Sequence, residues 1–217
     1  MSTIIFAHGW GFDDTVWEAV RARLSSQHRV ASVDFGFFGA PHMPAITTDS
    51  TTGDTVIAVG HSLGACWWLA QSTLPWHRLL LINGFPRFTS FSDYAAVTPR
   101  VLARMATQFR RDPGAVLGEF RAACGAPAVL AGFDAAQLAL GLDWLAQWDG
   151  RARLATRAAD IHALAADNDP IVSAAMSEMA LAGLPPGHLT RVAGDDHVLP
   201  LTAPDLCAAL IERLAAT

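Results

Sequence analysis

Lysine is absent from this 217-residue chain, and all 15 of its basic residues are arginine. That skew reads as genomic bias rather than mechanism. Acids outnumber arginines 20 to 15, which leaves a formal net charge of −5. An acidic balance of this kind argues against a nucleic-acid binder. Cysteine is scarce: Cys66, Cys124 and Cys207 are odd in number and far apart. They are expected to be three reduced thiols in a cytoplasmic protein. No apolar run approaches the roughly 18 residues a membrane span needs, so no membrane partner is expected. Met1 to Ala7 carries no basic segment and breaks into His8-Gly9 too soon for a signal peptide. Neither a repeat nor a low-complexity linker interrupts the chain. No metal or cofactor is expected either. No His/Cys/Asp cluster has zinc spacing, and Gly36-Phe37-Phe38-Gly39 lacks the lysine and the following helix of a phosphate cradle.

What is present is largely apolar. Hydrophobic residues make up 52% of the chain and charged ones 16%, enough for one domain with a sizeable core. Short β-branched runs alternate with helical patterns. Strands are predicted at Thr3–Ala7, Arg29–Asp34, Thr55–Gly60, Arg78–Asn83, Asp160–Ala165 and His188–Val192. Helices are predicted after Asp13 or Asp14 (Val16, Trp17, Val20 and Leu24 at helical spacing), and over Ser62–Thr73, Ser173–Leu181 and Thr202–Ala216. Pro44 to Gly53 reads as a loop. From about Phe88 to Asp149 the rhythm changes to helices alone, at Pro99–Arg111, Gly114–Cys124 and Ala135–Trp148. The expected architecture is a single α/β domain over residues 1–217: a mostly parallel sheet of about six strands, helices on both faces, and a small helical cap inserted at about 88–149. Such sheets carry their functional loops at the carboxyl ends of the strands.

The chemistry centres on Gly60-His61-Ser62-Leu63-Gly64, where a strand turns sharply into a helix. The two glycines leave room for a serine held in a strained conformation, the context of a nucleophile elbow. Serine is a poor nucleophile at neutral pH and needs a base, which in turn needs an orienting acid. In chain order the acid comes next and the base last. His197 follows the last strand and is the candidate base. Asp167 and Asp169 both follow the fifth strand. Asp169 is preferred because Asp169-Pro170-Ile171-Val172 reads as the turn into the next helix. Asp195 and Asp196 adjoin His197 in sequence, but adjacent side chains usually point apart. An oxyanion needs two N–H donors; the backbones of Leu63 and Trp10 are the candidates, with His8 bracing the Trp10 loop. The Trp10 indole is expected to form a wall beside Ser62.

His8-Gly9-Trp10-Gly11, Gly60-His61-Ser62-Leu63-Gly64, Asp169-Pro170-Ile171-Val172 and Asp196-His197 together resemble the α/β-hydrolase superfamily over nearly the whole chain. Within it, His-Gly-Trp-Gly with Gly-His-Ser-Leu-Gly is similar to the pimeloyl-[acyl-carrier protein] methyl ester esterases of biotin synthesis. Leu81 to Phe88 and Gly141 to Leu145 resemble that family more loosely. The resemblance implies a serine carboxylesterase with Ser62 as nucleophile, His197 as base and Asp169 as orienter. It implies substrate contacts at Trp10, Ser62, Leu63 and His197, and along Phe120-Arg121-Ala122-Ala123-Cys124, where the family's cap segment aligns. Its partner would be a small or carrier-bound acyl ester, with acyl carrier protein docking on the cap. Arg87, Arg100, Arg104, Arg110, Arg111 and Arg121 lie there against Asp93, Asp112 and Glu119, a charge balance that suits an acidic carrier. The chain departs from the family in lacking a strand hairpin before Thr3 and in its short helical insertion. The expectation is a monomer. A general short-chain carboxylesterase, a lyase using the same residues, or a non-catalytic hydrolase-like binding protein are the rival readings.

Overall fold

A computed structural model describes residues 1–45, 55–128, 132–194 and 196–216; most of the Pro44–Gly53 stretch lies outside them. Six strands form one sheet: β1 (Ser2–Ala7), β2 (Arg29–Val33), β3 (Thr55–His61), β4 (Arg78–Ile82), β5 (Ile161–Ala166) and β6 (Leu189–Val192). Their order is β2-β1-β3-β4-β5-β6, and every pair is parallel. The order reverses between β1 and β3, so the loops after these two strands face each other at one edge of the sheet. This is the crevice where open α/β sheets place their sites.

The apolar runs that mark β1, β3 and β4 are buried on both faces, as parallel strands require. Alternation along each strand divides them between two cores. Ile5, Ala7, Val56, Ala58, Leu79 and Leu81 face α2 (Leu63–Ala70) and the helices that follow β4. Ile4, Phe6, Ile57, Val59, Leu80 and Ile82 face Trp17 and α9 (Pro204–Ala215). Every residue of α2 from Leu63 to Leu69 is buried. A helix apolar all round belongs inside a core, and α2 fills the space between the sheet and the helical segment above it.

Several element boundaries differ from the sequence reading, each for a local reason. The first helix is a 3₁₀ turn (Asp14–Trp17) capped by the Asp13 side chain, followed by a short α1 (Glu18–Arg21). Leu24 lies beyond it, where hydrogen bonds tighten to Arg23 N–Val20 O and Leu24 N–Arg21 O. The single helix expected over Thr202–Ala216 is two, α8 (Leu199–Thr202) and α9, because Ala203 precedes a proline and adopts φ −134°, ψ 50°. The helix over Ser62–Thr73 begins only at Leu63, so Ser62 sits in the turn itself. Between β4 and β5 lie α3 (Pro99–Arg111), α4 (Pro113–Ala123), α5 (Ala135–Gln147) and α6 (Arg151–Arg157). The last of these escaped notice because it has one apolar anchor, Leu154, and no periodic stripe. After β5 comes α7 (Ala174–Leu181). Among the described residues no helix is long and apolar enough to cross a membrane, and all three cysteines are free and buried.

The start of α2 is pressed against the ends of β1 and β3. A Cβ at Gly60 would lie 2.5 Å from Ala65 Cα, and one at Gly64 would run into the Ala7 carbonyl. Backbone on both sides cannot yield as a flexible side chain could. Gly64→Ala is therefore expected to destabilise the fold by about 1–3 kcal/mol or more, read as a lower denaturation midpoint. Gly118→Ala, on α4 where the added methyl meets nothing within 4 Å, is expected to leave the midpoint unchanged or raise it.

Candidate active site

Ser62 occupies φ 51°, ψ −116°, a region that L-residues avoid and that costs on the order of 1–3 kcal/mol. The turn is held from several sides. Ser62 N–H donates to Ile82 O at 3.1 Å, and Ser62 O accepts from Ala65 N and Cys66 N. The serine thus stands where β3 ends and α2 begins, beside the positive end of that helix. It is 4% exposed.

The loop after β6 brings His197 to the same place. Its ring is fully buried, and Nδ1 lies 2.8 Å from Asp169 Oδ2. The other carboxylate oxygen of Asp169 accepts from Ile171 N at 2.7 Å and Val172 N at 2.9 Å. With Asp169 accepting on both oxygens, the proton of the pair belongs on Nδ1 of His197. That leaves Nε2 with its lone pair. Nε2 is buried and, among the described residues, has no hydrogen-bond partner; Ser62 Oγ does not bond it in this closed arrangement. Such contacts often tighten only when substrate is bound. Asp167 points elsewhere, 3.6 Å from Arg191. Asp196 contributes a carbonyl rather than its carboxylate, and Asp195 lies outside the described residues.

Leu63 is the first residue of α2, so its N–H is one of the helix's unpaired donors. Trp10 lies in the turn after β1. Its indole is turned into the helical segment rather than along a channel. Nε1 donates to Leu138 O at 2.8 Å, and the ring meets Phe120 and Phe109 edge-on at 4.8 and 5.9 Å. Gly141 permits this clamp, since a Cβ there would sit 2.6 Å from Trp10 Cδ1. His8 stands below the loop. Its Nε2 accepts from Phe35 N at 3.0 Å, so the ring proton is on Nδ1, which donates to Gly9 O. The 3.4 Å approach of Nε2 to Asp34 then sets two acceptors side by side and is not an ion pair.

The Phe120–Cys124 stretch splits. Phe120 reaches the site, 6.4 Å from the His197 ring. Arg121 is engaged internally: Nη1 donates to Gly11 O at 2.6 Å and Nε to Pro127 O at 2.7 Å, with the guanidinium over the Phe12 ring. Ala122 and Ala123 are exposed, and Cys124 is buried in the apolar cluster that includes Val198 and Leu199, where burial and nearby Asp169 push its thiol pKa up. An apolar groove of about 590 Å³ runs beside the site, lined by Phe35, Trp67, Leu140, Trp144 and Trp148, but neither Ser62 nor His197 borders it.

Two side chains that the sequence reading passed over also converge here. His61 Nε2–H donates to His197 O at 3.0 Å, and Asn83 Nδ2 donates to the same carbonyl at 2.8 Å. His61 hid inside the elbow motif, and Asn83 read as a strand end. Burial, with help from nearby His197, holds the His61 ring well below its ordinary value of 6.5. The folded chain keeps this ring neutral while the unfolded chain protonates it below about 6.5. Its contribution is therefore present above that pH and is lost as pH falls. Between pH 6.5 and 5, wild-type stability is expected to fall more steeply than that of His61→Asn, as denaturant titrations at a series of pH values would show.

The chain belongs to the alpha/beta hydrolase family, whose profile matches residues 4–210. It is 28% identical, over a 240-residue alignment covering 96% of each chain, to the pimeloyl-[acyl-carrier protein] methyl ester esterase of Aromatoleum aromaticum. It is 26% identical over 122 residues to the protein of the same name from Aliivibrio salmonicida, covering 51% of this chain and 47% of that one. Among solved structures, a bromoperoxidase from Bacillus anthracis superposes with TM-score 0.79 at 17% identity, and the esterase EaEST from Exiguobacterium antarcticum with TM-score 0.77 at 15% identity. Each match covers 100% of this chain and 92% of the other. At those identities the likeness is one of fold.

Proposed function

We propose that this chain is a serine carboxylesterase that hydrolyses the methyl ester of a pimeloyl chain carried on acyl carrier protein. The observation that carries the esterase reading is a buried His197 whose Nδ1 is 2.8 Å from Asp169 and whose ring packs on His61, the residue before the strained Ser62. Ser62 Oγ attacks the ester carbonyl as His197 Nε2 takes its proton. The oxyanion is met by the Leu63 and Trp10 N–H groups. Collapse expels the alcohol, which leaves as methanol with the proton from His197, and an acyl-Ser62 ester remains. Water, deprotonated by His197, then attacks that ester; the acid departs and the proton returns to Ser62.

Support for the carrier-bound substrate is of two kinds. The relative matched end to end is a pimeloyl-[acyl-carrier protein] methyl ester esterase. The helical segment, which we assign as the cap, also presents Arg100, Arg104, Arg110 and Arg111 exposed on or at the end of α3; among the described residues none is paired with an acid. Arg87 is different: Asp149 holds it, and that carboxyl is drawn down to about 2 chiefly by its hydrogen bonds to Arg151. On a chain of net charge −5, four open arginines on one helix favour an acidic partner.

Ser62→Ala is expected to lower ester turnover by about 10⁴-fold or more and to abolish labelling by a fluorophosphonate, which should mark Ser62 in the wild type. Arg104→Glu with Arg111→Glu is expected to raise KM for the carrier-bound ester about tenfold or more, with the free dimethyl ester of pimelic acid hydrolysed as before. Equal rates on free and carrier-bound esters at all salt concentrations would instead leave a general carboxylesterase. An unlabelled Ser62 would remove the enzyme reading altogether.

A further inference from the structure

The backbone of His197 is held by a third strand end that plays no part in the reaction scheme. Asn83 follows β4 in a left-handed conformation, φ 42°, and is 1% exposed. Asparagine tolerates this region better than most residues because its short polar chain can bond locally. Here its whole amide is committed. Nδ2 donates to Asp196 O at 2.9 Å and His197 O at 2.8 Å, and Oδ1 accepts from Ala166 N at 2.9 Å. Its own N–H donates to Leu164 O at 2.8 Å. One side chain therefore joins the end of β4, the end of β5 and the loop that carries His197.

We propose that Asn83 is a positioning residue for the general base. It fixes the main chain of His197 so that the ring needs only Asp169 to set its rotation. This rests on the reading of His197 as the base. A carbonyl oxygen has two lone pairs, and at His197 one is taken by Asn83 and the other by His61 Nε2–H at 3.0 Å. The peptide can neither rotate nor slide while both bonds hold. The ring is then packed by His61, with centroids 4.9 Å apart, and by Phe120. Asp169 approaches from the loop after β5, the same strand end that Asn83 grips through Ala166. Base and orienter are thus referred to one amide, and displacement of either would show at once at Nε2. A misplacement of about 1 Å at such a centre can cost on the order of 100-fold in rate.

Two variants divide the roles of the amide. Asn83→Gly accepts the left-handed backbone but loses all three side-chain bonds. Asn83→Asp keeps an oxygen for Ala166 N and loses the two donations to the His197 loop. Both are expected to lower kcat/KM for a p-nitrophenyl ester about 10- to 100-fold, mostly in kcat, and to slow phosphonylation of Ser62 in parallel. In both, the far-downfield proton resonance of His197 Nδ1–H against Asp169 should shift or broaden. Trp76→Phe, at a buried tryptophan stacked under Arg153 and Arg157, serves as the control for lowered stability and should keep kcat/KM within twofold. A folded Asn83→Gly with wild-type kcat/KM and an unmoved resonance overturns the proposal. So does a loss in Asn83→Gly that is absent from Asn83→Asp, which would assign the effect to the Ala166 bond. Should Asn83→Gly not fold, Asn83→Asp decides by the same readings. If the wild type itself neither turns over esters nor takes up phosphonate, the esterase reading fails, and the resonance alone still tests the anchor.

Discussion

Everything at the candidate site depends on how closely α2 can approach the sheet. The Ser62 turn is strained, and strain persists only where the surroundings over-determine it. Here the surroundings are backbone on backbone: Gly60 against Ala65, and Gly64 against the Ala7 carbonyl. This contact ties the end of β1 to the start of α2, and so ties the Trp10 loop to Ser62 and Leu63. The loops of two candidate oxyanion donors, Trp10 and Leu63, 53 positions apart, are thereby brought together by the absence of two methyl groups. The burial of α2 on all sides supplies the apolar energy that keeps the strained turn closed.

A second layer of constraint fixes the imidazole. Loops are the mobile parts of α/β folds, and His197 sits on the one between β6 and α8. The fold answers by gripping the loop's main chain at the His197 carbonyl from β3 and β4, through His61 and Asn83. Asp169 grips the ring, and its own carboxylate is held by the amides of Ile171 and Val172. Each part of the arrangement is referred to a strand end in a parallel sheet, so the precision of the sheet is passed to the side chains. Burial keeps the His61 ring neutral, with its N–H on the nitrogen that faces the His197 carbonyl.

Much of this was legible in the residues because it rests on local signals. The mostly parallel sheet of about six strands follows from apolar runs and helical spacing, and its strand order comes from the structure. The elbow declares itself by two glycines around one serine. What was not legible rests on contacts distant in sequence. The Arg121 guanidinium reaches Gly11 O, 110 positions away. The Trp10 indole N–H reaches Leu138 O, 128 positions away. Asn83 carried no motif at all, because its partners come from β5 and the last loop. Side chains whose role is to join loops leave no period and no spacing to read.

Those same distant contacts change how the helical segment between β4 and β5 relates to the chemistry. Its α4 and α5 do more than sit above Ser62. Leu138 O holds the Trp10 indole, Arg121 holds the Gly11 carbonyl, and Asp134 N–H, at the start of α5, donates to Phe37 O. These bonds fall on the loops after β1 and β2, and the first of those loops carries the Trp10 N–H. Phe120, in the same segment, packs on the Trp10 ring and lies 6.4 Å from the His197 ring. Electrostatic donors act most strongly when fixed, and these bonds fix the loop that carries the candidate donor at Trp10. The segment with the exposed arginines thus also holds the Trp10 loop, through α4 and α5, which both pack against α3.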